Sequence, residues 1–421
     1  MRTPIGTFFI IVIMILLDIY VFMAIKSVSH SASSRLRTVI FSIYWLASVV
    51  AIGSVLLMIF NDPDFFPKKV RTYLIASILA FVFGQLISSV FFLVDDFRRL
   101  IQWLAGKTFF RNTEVSQMNN DGISRSVFLS WIGLTAGTTL FGSLIYGFSN
   151  KYNYQVKHLK LAFDNLPPGF EGLKIVHFSD VHSGSFMNKP SVMRGVEKII
   201  AEHADLVIFS GDLVNDRSTE MKEYMDVFNK IKAPMGVYST FGNHDYGDYV
   251  KWPYKGITKE QNLINLAKVH EELGWRLMMD EHIELERNGD KIALIGIQNW
   301  SAKARFPKYG NLKKAYNGSE KIPFKILISH DPSHWDAQIR PEYADIDLTL
   351  SGHTHGMQFG VEIPGFKWSP VQYVYKQWDG LYEEGKQKLY VNPGFGFIGY
   401  PGRVGILAEI TVIELVNSKV G

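Results

Sequence analysis

Residues 173–182 read LKIVHFSDVH, a short apolar run that ends in an aspartate and a histidine two positions apart. The apolar part, residues 173–178, is typical of a buried strand. Asp180 and His182 follow it, and on an extended segment side chains two apart point to the same side. The stretch therefore predicts a strand whose carboxyl end presents two metal-binding side chains together.

Four more polar blocks follow predicted strands in the same way. They are Gly211-Asp212, Gly242-Asn243-His244-Asp245, His330 and Gly352-His353-Thr354-His355, after strands expected at 205–209, 236–240, 324–329 and 347–350. Helices expected at 190–203 and 221–231 separate some of these strands, which indicates parallel pairing in an α/β fold. Sites in open α/β sheets form outside the carboxyl ends of the strands. We therefore expect the five blocks to converge on one rim.

The blocks supply a donor set suited to two metal ions. The candidate ligands are Asp180, His182, Asp212, Asn243, His330, His353 and His355. Seven ligands are too many for a structural zinc site, which closes at four. Oxygen and imidazole donors without sulfur suit Mn²⁺, Fe or Zn²⁺, and the chain has no cysteine for a thiolate site or nucleophile. We predict two divalent ions sharing one carboxylate, with Mn²⁺ favoured and Fe, Zn²⁺ or Mg²⁺ as alternatives.

The first third of the chain is predicted to cross a membrane. Four apolar runs cover residues 5–25, 38–60, 72–94 and 126–148, each near the roughly 20 residues that span a bilayer. The first run exceeds a signal-peptide core and precedes three more, so we interpret it as a retained helix. Its only charge, Asp18, is expected to pair with a polar group such as Gln85 rather than to serve transport. The predicted domains are a transmembrane region, 1–150, and a catalytic domain, 151–421.

Basic residues bias the orientation only slightly. One basic residue precedes the first span and Lys26, Arg35 and Arg37 follow it, which favours an extracytoplasmic catalytic domain in a multi-pass protein of the cell membrane. Residues 95–112 have apolar side chains at helical spacing, and two alternatives stay open: a helix in the membrane interface, or an extension of the third span. The net charge of +4 is too small to indicate a nucleic-acid partner.

The order of the blocks, Asp-x-His, Gly-Asp, Gly-Asn-His-Asp, His and Gly-His-x-His, resembles that of the calcineurin-like metallophosphoesterases. The resemblance covers residues 161–415 and is closest to the membrane-associated bacterial branch, related to lipid A pathway diphosphatases and cell-envelope phosphodiesterases. The runs around Ser329-His330-Asp331 and Val391-Asn392-Pro393 are similar there. Met357 departs from the pattern, because relatives more often carry a second glycine at this place. The transmembrane region is not part of the shared core.

The resemblance implies two stacked mixed sheets covered by helices, following the four-helix transmembrane region. One metal would be held by Asp180, His182 and His355, the other by Asn243, His330 and His353, with Asp212 bridging them. The implied activity is that of a metal-dependent phosphoric ester hydrolase, of phosphodiesterase or pyrophosphatase type. The bridging hydroxide would attack phosphorus, with His244 as the acid at the leaving group and Asp245 orienting its imidazole.

Two classes of function remain as alternatives. The first is a membrane-anchored phosphohydrolase, whose phosphoester substrate would be linked to a lipid or an envelope polymer because four spans hold the site near the bilayer. The second is a membrane scaffold or sensor that binds metal without hydrolysis, and its signature would be an incomplete ligand set.

Other polar residues have structural interpretations. Asn215 and Arg217 are expected to be loop residues, with pocket lining as the alternative. Arg403 is expected either to contact a phosphate or to lie on the surface in a turn. The remaining histidines are expected on the surface or hydrogen-bonded in the core; they are His30, His158, His177, His203, His270, His282 and His334.

Overall fold

The computed structural model describes residues 4–61, 65–109 and 125–419. These residues divide into two compact units between Tyr146 and Gly147. The apolar helices are α1 (Pro4–Val28), α2 (Ser34–Phe60), α3 (Lys68–Phe109) and α4 (Arg125–Asn150). The strands and the shorter helices all belong to the second unit, so we describe the two units separately.

All four long helices are apolar enough to cross a membrane. Their candidate spans have mean hydropathies of 2.9, 2.3, 2.2 and 1.4, and many large apolar side chains of α1, α2 and α3 face outward, as lipid-facing residues do. The four predicted spans are confirmed. Helix α3 continues without a break to Phe109, which favours the extension of the third span over a separate interface helix; residues 110–112 of that stretch lie outside the described residues.

Asp18 of α1 is buried among polar groups of α2 and α3. Gln85 Nε2 donates to Asp18 Oδ1 over 2.6 Å, and the Ser48 hydroxyl donates to Oδ2. The Tyr44 hydroxyl donates to the backbone carbonyl of Asp18 over 2.9 Å. An ionisable group inside a bilayer is costly without such partners. The predicted pairing of Asp18 with Gln85 is confirmed, and it ties three helices together.

The second unit contains two six-stranded mixed sheets and a two-stranded hairpin. The strands are β1 (Gln155–Phe163), β2 (Lys174–Phe178), β3 (Leu206–Phe209), β4 (Val237–Ser239), β5 (Arg276–Leu277), β6 (Glu281–Arg287), β7 (Asp290–Gly296), β8 (Lys325–Ile328), β9 (Leu348–Ser351), β10 (Val361–Ile363), β11 (Phe366–Trp368), β12 (Gly380–Glu384), β13 (Gln387–Val391) and β14 (Glu409–Asn417). The first sheet has the order β1-β14-β2-β3-β4-β5 and the second β12-β13-β9-β8-β7-β6. Within them β2, β3 and β4 run parallel, as do β7, β8 and β9.

The two sheets stack on a common apolar layer. Ile175 and Ile208 of the first sheet belong to one buried cluster with Ile326 and Leu348 of the second. The outer faces are covered by α5 (Lys189–Ala201), α6 (Met225–Phe228), α7 (Lys259–Leu273) and α8 (Leu312–Tyr316), whereas α9 (Arg340–Glu342) has no buried residue. Burial on both faces explains why β2, β3 and β8 are almost continuously apolar. The predicted architecture of stacked mixed sheets with flanking helices is confirmed.

One predicted helix is wrong in its extent. Instead of a helix over 221–231, the chain forms a 3₁₀ turn at Ser218–Glu223 and then the four residues of α6. Tyr224 between them leaves the helical region, with φ −114° and ψ 2°. The segment still buries Met221, Val227 and Phe228, so the apolar pattern reflects packing and not a continuous helix.

Candidate metal centre

The five polar blocks meet at one rim of the stacked sheets. In the first sheet Asp180 and His182 follow β2, Asp212 follows β3, and Asn243 and His244 follow β4; in the second, His330 follows β8, and His353 and His355 follow β9. The parallel strands of each sheet end at the same edge, which is why separate parts of the chain arrive together. The predicted convergence of the loops is therefore present.

The first donor group consists of Asp180, His182 and His355. One ligand atom from each lies within 4.8 Å of the others. His182 Nε2 and His355 Nε2 are 3.0 Å apart, and His355 Nε2 is 3.3 Å from Asp180 Oδ1. All three side chains are buried. They form a compact set of one carboxylate and two imidazoles.

The second group consists of Asp212, His330 and His353, again within 4.8 Å. His330 Nε2 lies 3.2 Å from Asp212 Oδ2, and the Asn243 side-chain oxygen lies 2.7 Å from His353 Nδ1. Asp212 Oδ2 is also 3.5 Å from His182 Nε2 of the first group. The Asp212 carboxylate therefore faces both groups.

Five of these residues hold a left-handed backbone conformation. The φ angles are 52° for Asp180, 47° for His182, 62° for Asp212, 74° for His353 and 52° for His355. Non-glycine residues seldom adopt positive φ, and each such residue costs on the order of 1 kcal/mol or more. Strain of this kind clusters at functional sites, where the surrounding structure holds it in place.

Close packing of the loops depends on small residues at two positions. Gly211 has a φ of 106°, which only glycine adopts readily. At Gly242 an added Cβ would lie 2.3 Å from Asp212 Oδ1. Both glycines therefore allow the backbone to approach the carboxylate that lies between the two groups.

Hydrogen bonds outside the donor groups orient the ligands. His330 Nδ1 donates to the backbone carbonyl of Ser210 over 2.7 Å, which leaves Nε2 directed at Asp212. His353 Nε2 lies 2.8 Å from the Tyr375 hydroxyl, which also contacts Asp331. Asn243 Nδ2 donates to the Tyr249 hydroxyl over 2.8 Å, so its oxygen faces His353. The sequence does not single out Tyr249 or Tyr375, because neither belongs to one of the five polar blocks.

The predicted role of Asp245 is corrected by its contacts. Its carboxylate accepts hydrogen bonds from the backbone N–H groups of Asp212, Leu213, Val214 and Gly242, over 2.8 to 3.2 Å. It does not orient the His244 imidazole, because the turn after β4 directs the carboxylate back beneath the Asp212 loop. Asp245 instead holds that loop to the loop after β4.

The imidazole of His244 is oriented by a backbone group. His244 Nδ1 lies 2.8 Å from the carbonyl oxygen of Asn215, and the His244 N–H donates to Asp212 Oδ1 over 2.8 Å. The Asn215 side chain bonds to Ser185. Asn215, expected to be a plain loop residue, thus positions the histidine through its main chain, which no side-chain pattern reveals.

Arg403 occupies neither of its predicted places. It is fully buried, and its guanidinium donates to backbone carbonyls that include those of Pro393, Gly394 and Gly396. This loop lies against the site, since Gly396 N–H donates to the Asp180 carbonyl over 2.8 Å. Burial lowers the pKa of Arg403 to about 10. The arginine therefore supports the loop behind Asp180.

Comparison with known families agrees with this arrangement. Residues 173–357 match the model of the calcineurin-like phosphoesterases, and residues 1–151 match that of a probable calcineurin-like phosphoesterase transmembrane domain. The second unit carries a calcineurin-like phosphoesterase domain. The four N-terminal helices match the transmembrane family model, and the protein is a membrane protein.

Several curated relatives are similar over 60% to 70% of this chain. A zebrafish (Danio rerio) transmembrane protein with metallophosphoesterase domain is 30% identical over 270 residues, which are 62% of this chain and 57% of the relative. The uncharacterized metallophosphoesterase YkuE of Bacillus subtilis is 29% identical, over 60% of this chain and 82% of the relative. Phosphodiesterase YaeI of Escherichia coli is 25% identical, over 70% of this chain and all of the relative. The chain thus spans little more than half of the zebrafish protein.

The side chains of this domain fit the divalent ions that calcineurin-like phosphoesterases bind. Burial lowers the pKa of His182 to about 3 and that of His355 well below its ordinary value, which disfavours their charged forms. Their Nε2 atoms nevertheless face each other and the Asp180 carboxylate. Lone pairs that converge in this way are satisfied by a cation.

The second group, Asp212, His330 and His353, also favours a bound positive charge. Burial by itself would lower the pKa of His330, but the nearby Asp212 carboxylate raises it to about 10. Burial alone would raise the pKa of Asp212 as well, but His330 and His244 hold it well below its usual range. Both shifts reflect the negative charge of Asp212 beside His330, where a divalent ion would fit. Of the residues that the resemblance assigns to the second metal, His330 and His353 belong to this group and Asn243 lies beside it.

Proposed function

We propose that this protein hydrolyses a phosphodiester or a pyrophosphate at two divalent ions held by Asp180, His182, Asp212, Asn243, His330, His353 and His355. The main support is the carboxylate of Asp212, which faces both donor groups. When bound, the two ions would supply a nucleophilic oxygen at neutral pH and polarise the phosphoryl group. Mn²⁺ is favoured because the set combines hard oxygen with imidazole donors.

His244 is proposed as the proton donor to the leaving oxygen. A backbone carbonyl can only accept, so His244 Nδ1 carries the hydrogen that it shares with Asn215, and Nε2 is left for proton exchange. The ring lies 4.9 Å from that of His182, next to the first donor group, and is partly exposed to solvent. A protonated His244 can therefore reach a substrate atom that departs from the metal centre.

We further propose that residues 151–421 form the catalytic domain and face the extracytoplasmic side of the cell membrane. The substrate would be a phosphoester linked to a lipid or to an envelope polymer. Support comes from the four membrane spans and from the slight excess of basic residues after the first of them.

The test is turnover by the full-length protein in detergent. We expect hydrolysis of bis(4-nitrophenyl) phosphate or of a nucleotide-linked glycolipid with Mn²⁺, faster than that of 4-nitrophenyl phosphate. Activity should disappear with a chelator and return with Mn²⁺, because the donor atoms alone provide no nucleophile. Stoichiometric metal binding without turnover of any phosphoester would instead support the metal-binding scaffold.

His244→Ala should separate proton donation from metal binding. We expect kcat for a diester with an alkoxide leaving group to fall about 10²- to 10⁴-fold. The loss should be much smaller for 4-nitrophenolate, which leaves without a proton. The matched control is His158→Ala, an exposed histidine paired with Glu202. An equal loss for both leaving groups would show that His244 acts on the metal centre and not on the leaving oxygen.

A further inference from the structure

The hairpin of β10 and β11 has its apolar face turned outward. Strand pairing places Val361 opposite Trp368 and Ile363 opposite Phe366, so these four side chains share one face. Val361, Ile363 and Phe366 are between 42% and 57% exposed. A soluble hairpin packed on a domain usually shows the opposite arrangement, with apolar side chains inward.

The inward face of the hairpin carries charge. Glu362 is paired with Lys367 across the strands, and the exposed fractions of these side chains are only 34% and 27%. Glu362 Oε1 lies 2.9 Å from Lys157 Nζ of β1, and Lys367 forms an ion pair with the buried Asp379. These ion pairs hold the hairpin with its apolar side away from the domain.

The exposed apolar surface continues past the hairpin. Tyr373 and Val374 are both exposed, and Trp368 Nε1 donates to the Tyr373 hydroxyl over 3.4 Å. We call Val361, Ile363, Phe366, Trp368, Tyr373 and Val374 the apolar face. Its mixture of aliphatic residues with tryptophan and tyrosine is typical of protein surfaces at the membrane–water interface.

A basic loop lies beside Tyr375, the buried residue that directly follows Val374 of the apolar face. Lys303 Nζ is 5.3 Å from the centre of the Tyr375 ring, and Arg305 and Lys308 in the same loop are exposed. The ring of Phe306 in this loop lies 4.7 Å from that of His353, so the loop borders the metal centre. Lysine and arginine there complement an anionic headgroup that reaches the site.

We propose that the apolar face enters the headgroup layer of a lipid bilayer. A lipid bilayer is the expected partner of this face because the same chain contains membrane-spanning helices. Helix α4 ends at Asn150 and β1 begins at Gln155, so a membrane crossed by α4 is within reach of the second unit. Large exposed apolar patches commonly mark such contacts.

The segment between His353 and Tyr375 connects this contact to the metal centre, so membrane binding would affect the position of His353. The segment leaves the site at His353 and returns with Tyr375, whose hydroxyl is 2.8 Å from the His353 imidazole. The Ser369 hydroxyl also donates to the carbonyl of Gly356, next to His355. If the proposed function holds, the favoured substrate is a phosphoester within a lipid headgroup; the membrane contact itself does not depend on catalysis.

The absence of cysteine from the sequence allows a direct test. Ile363→Cys and Ile264→Cys in the full-length protein are each labelled with a polarity-sensitive fluorophore and reconstituted into phosphatidylcholine–phosphatidylglycerol liposomes. Ile264 of α7 is the matched control, an isoleucine that is 52% exposed outside the apolar face. We expect blue-shifted emission at position 363 that a lipid-borne nitroxide quenches and aqueous iodide does not. Position 264 should show the reverse.

Three results would overturn the proposal. Iodide quenching at position 363 would place the face in water. Protection from both quenchers would mean that protein covers it. Equal nitroxide quenching at positions 363 and 264 would show that the label enters lipid wherever it is attached. The same labels in an Asp212→Asn background keep the result independent of turnover.

Discussion

Asp212→Asn is expected to lower kcat/KM for phosphodiester hydrolysis by about 10³-fold and to reduce the metal content of the protein. The Asp212 carboxylate lies 3.2 Å from His330 Nε2 and 3.5 Å from His182 Nε2, and its other oxygen accepts the His244 N–H. Asparagine keeps the size of the side chain but removes the negative charge that faces both donor groups. One of its two polar atoms would also become a donor, which cannot bind a cation.

Two measurements check this prediction: bound metal by elemental analysis, and turnover of bis(4-nitrophenyl) phosphate with Mn²⁺. The matched control is Asp226→Asn, an exposed aspartate whose ion pair with Lys189 should contribute little. The control should retain both metal and activity. If Asp212→Asn kept its activity after chelation, the proposed metal centre would be wrong.

Asp245→Ala is expected to destabilise the second unit by on the order of 3–4 kcal/mol. The substitution removes both oxygens that accept the N–H groups of Asp212, Leu213, Val214 and Gly242. The Asp245 side chain is fully buried, so water does not readily replace those bonds. The loops after β3 and β4 would separate, and the proposed metal ligands Asp212 and Asn243 would move with them.

Thermal unfolding of the full-length protein in detergent, with and without Mn²⁺, measures this effect. We expect a lower Tm for Asp245→Ala in both conditions, while His244→Ala keeps the Tm and loses activity alone. Asp226→Ala controls for the loss of a carboxylate at an exposed position. An unchanged Tm together with lost activity would restore the predicted role of Asp245 as the partner of His244.

The sequence predicts much of the fold because burial leaves a local signal. Strands β2, β3 and β8 lie between a second sheet and helices, so each is a short apolar run that ends in a polar block. Strand β14, residues EITVIELVN, has a comparable β-branched pattern, but no polar block follows it to mark a site. The interrupted helix at 221–231 was misjudged because helical spacing of buried residues does not require continuous helical dihedrals.

Some residues of the candidate site can be predicted from the sequence and others cannot. The seven predicted ligands come together because each stands directly after a strand, a relation visible along the chain. The tyrosines that orient Asn243 and His353 could not be predicted, since Tyr249 and Tyr375 reach the site through turns of irregular length. Asp245 was misassigned because its neighbour in sequence, His244, is not the group that its side chain meets.

From the sequence alone came the four membrane spans, the α/β class of the second unit and the set of candidate metal ligands. These depend on composition, on apolar periodicity and on the position of polar residues after strands, all of which are local properties. Only the tertiary structure decided which partners surround Asp245, why Arg403 is buried and which face of the β10–β11 hairpin is outward. Each of these depends on contacts between segments far apart in the chain. An alternation such as Glu362 and Ile363 predicts two different faces of a hairpin, but it does not show which face packs against the domain.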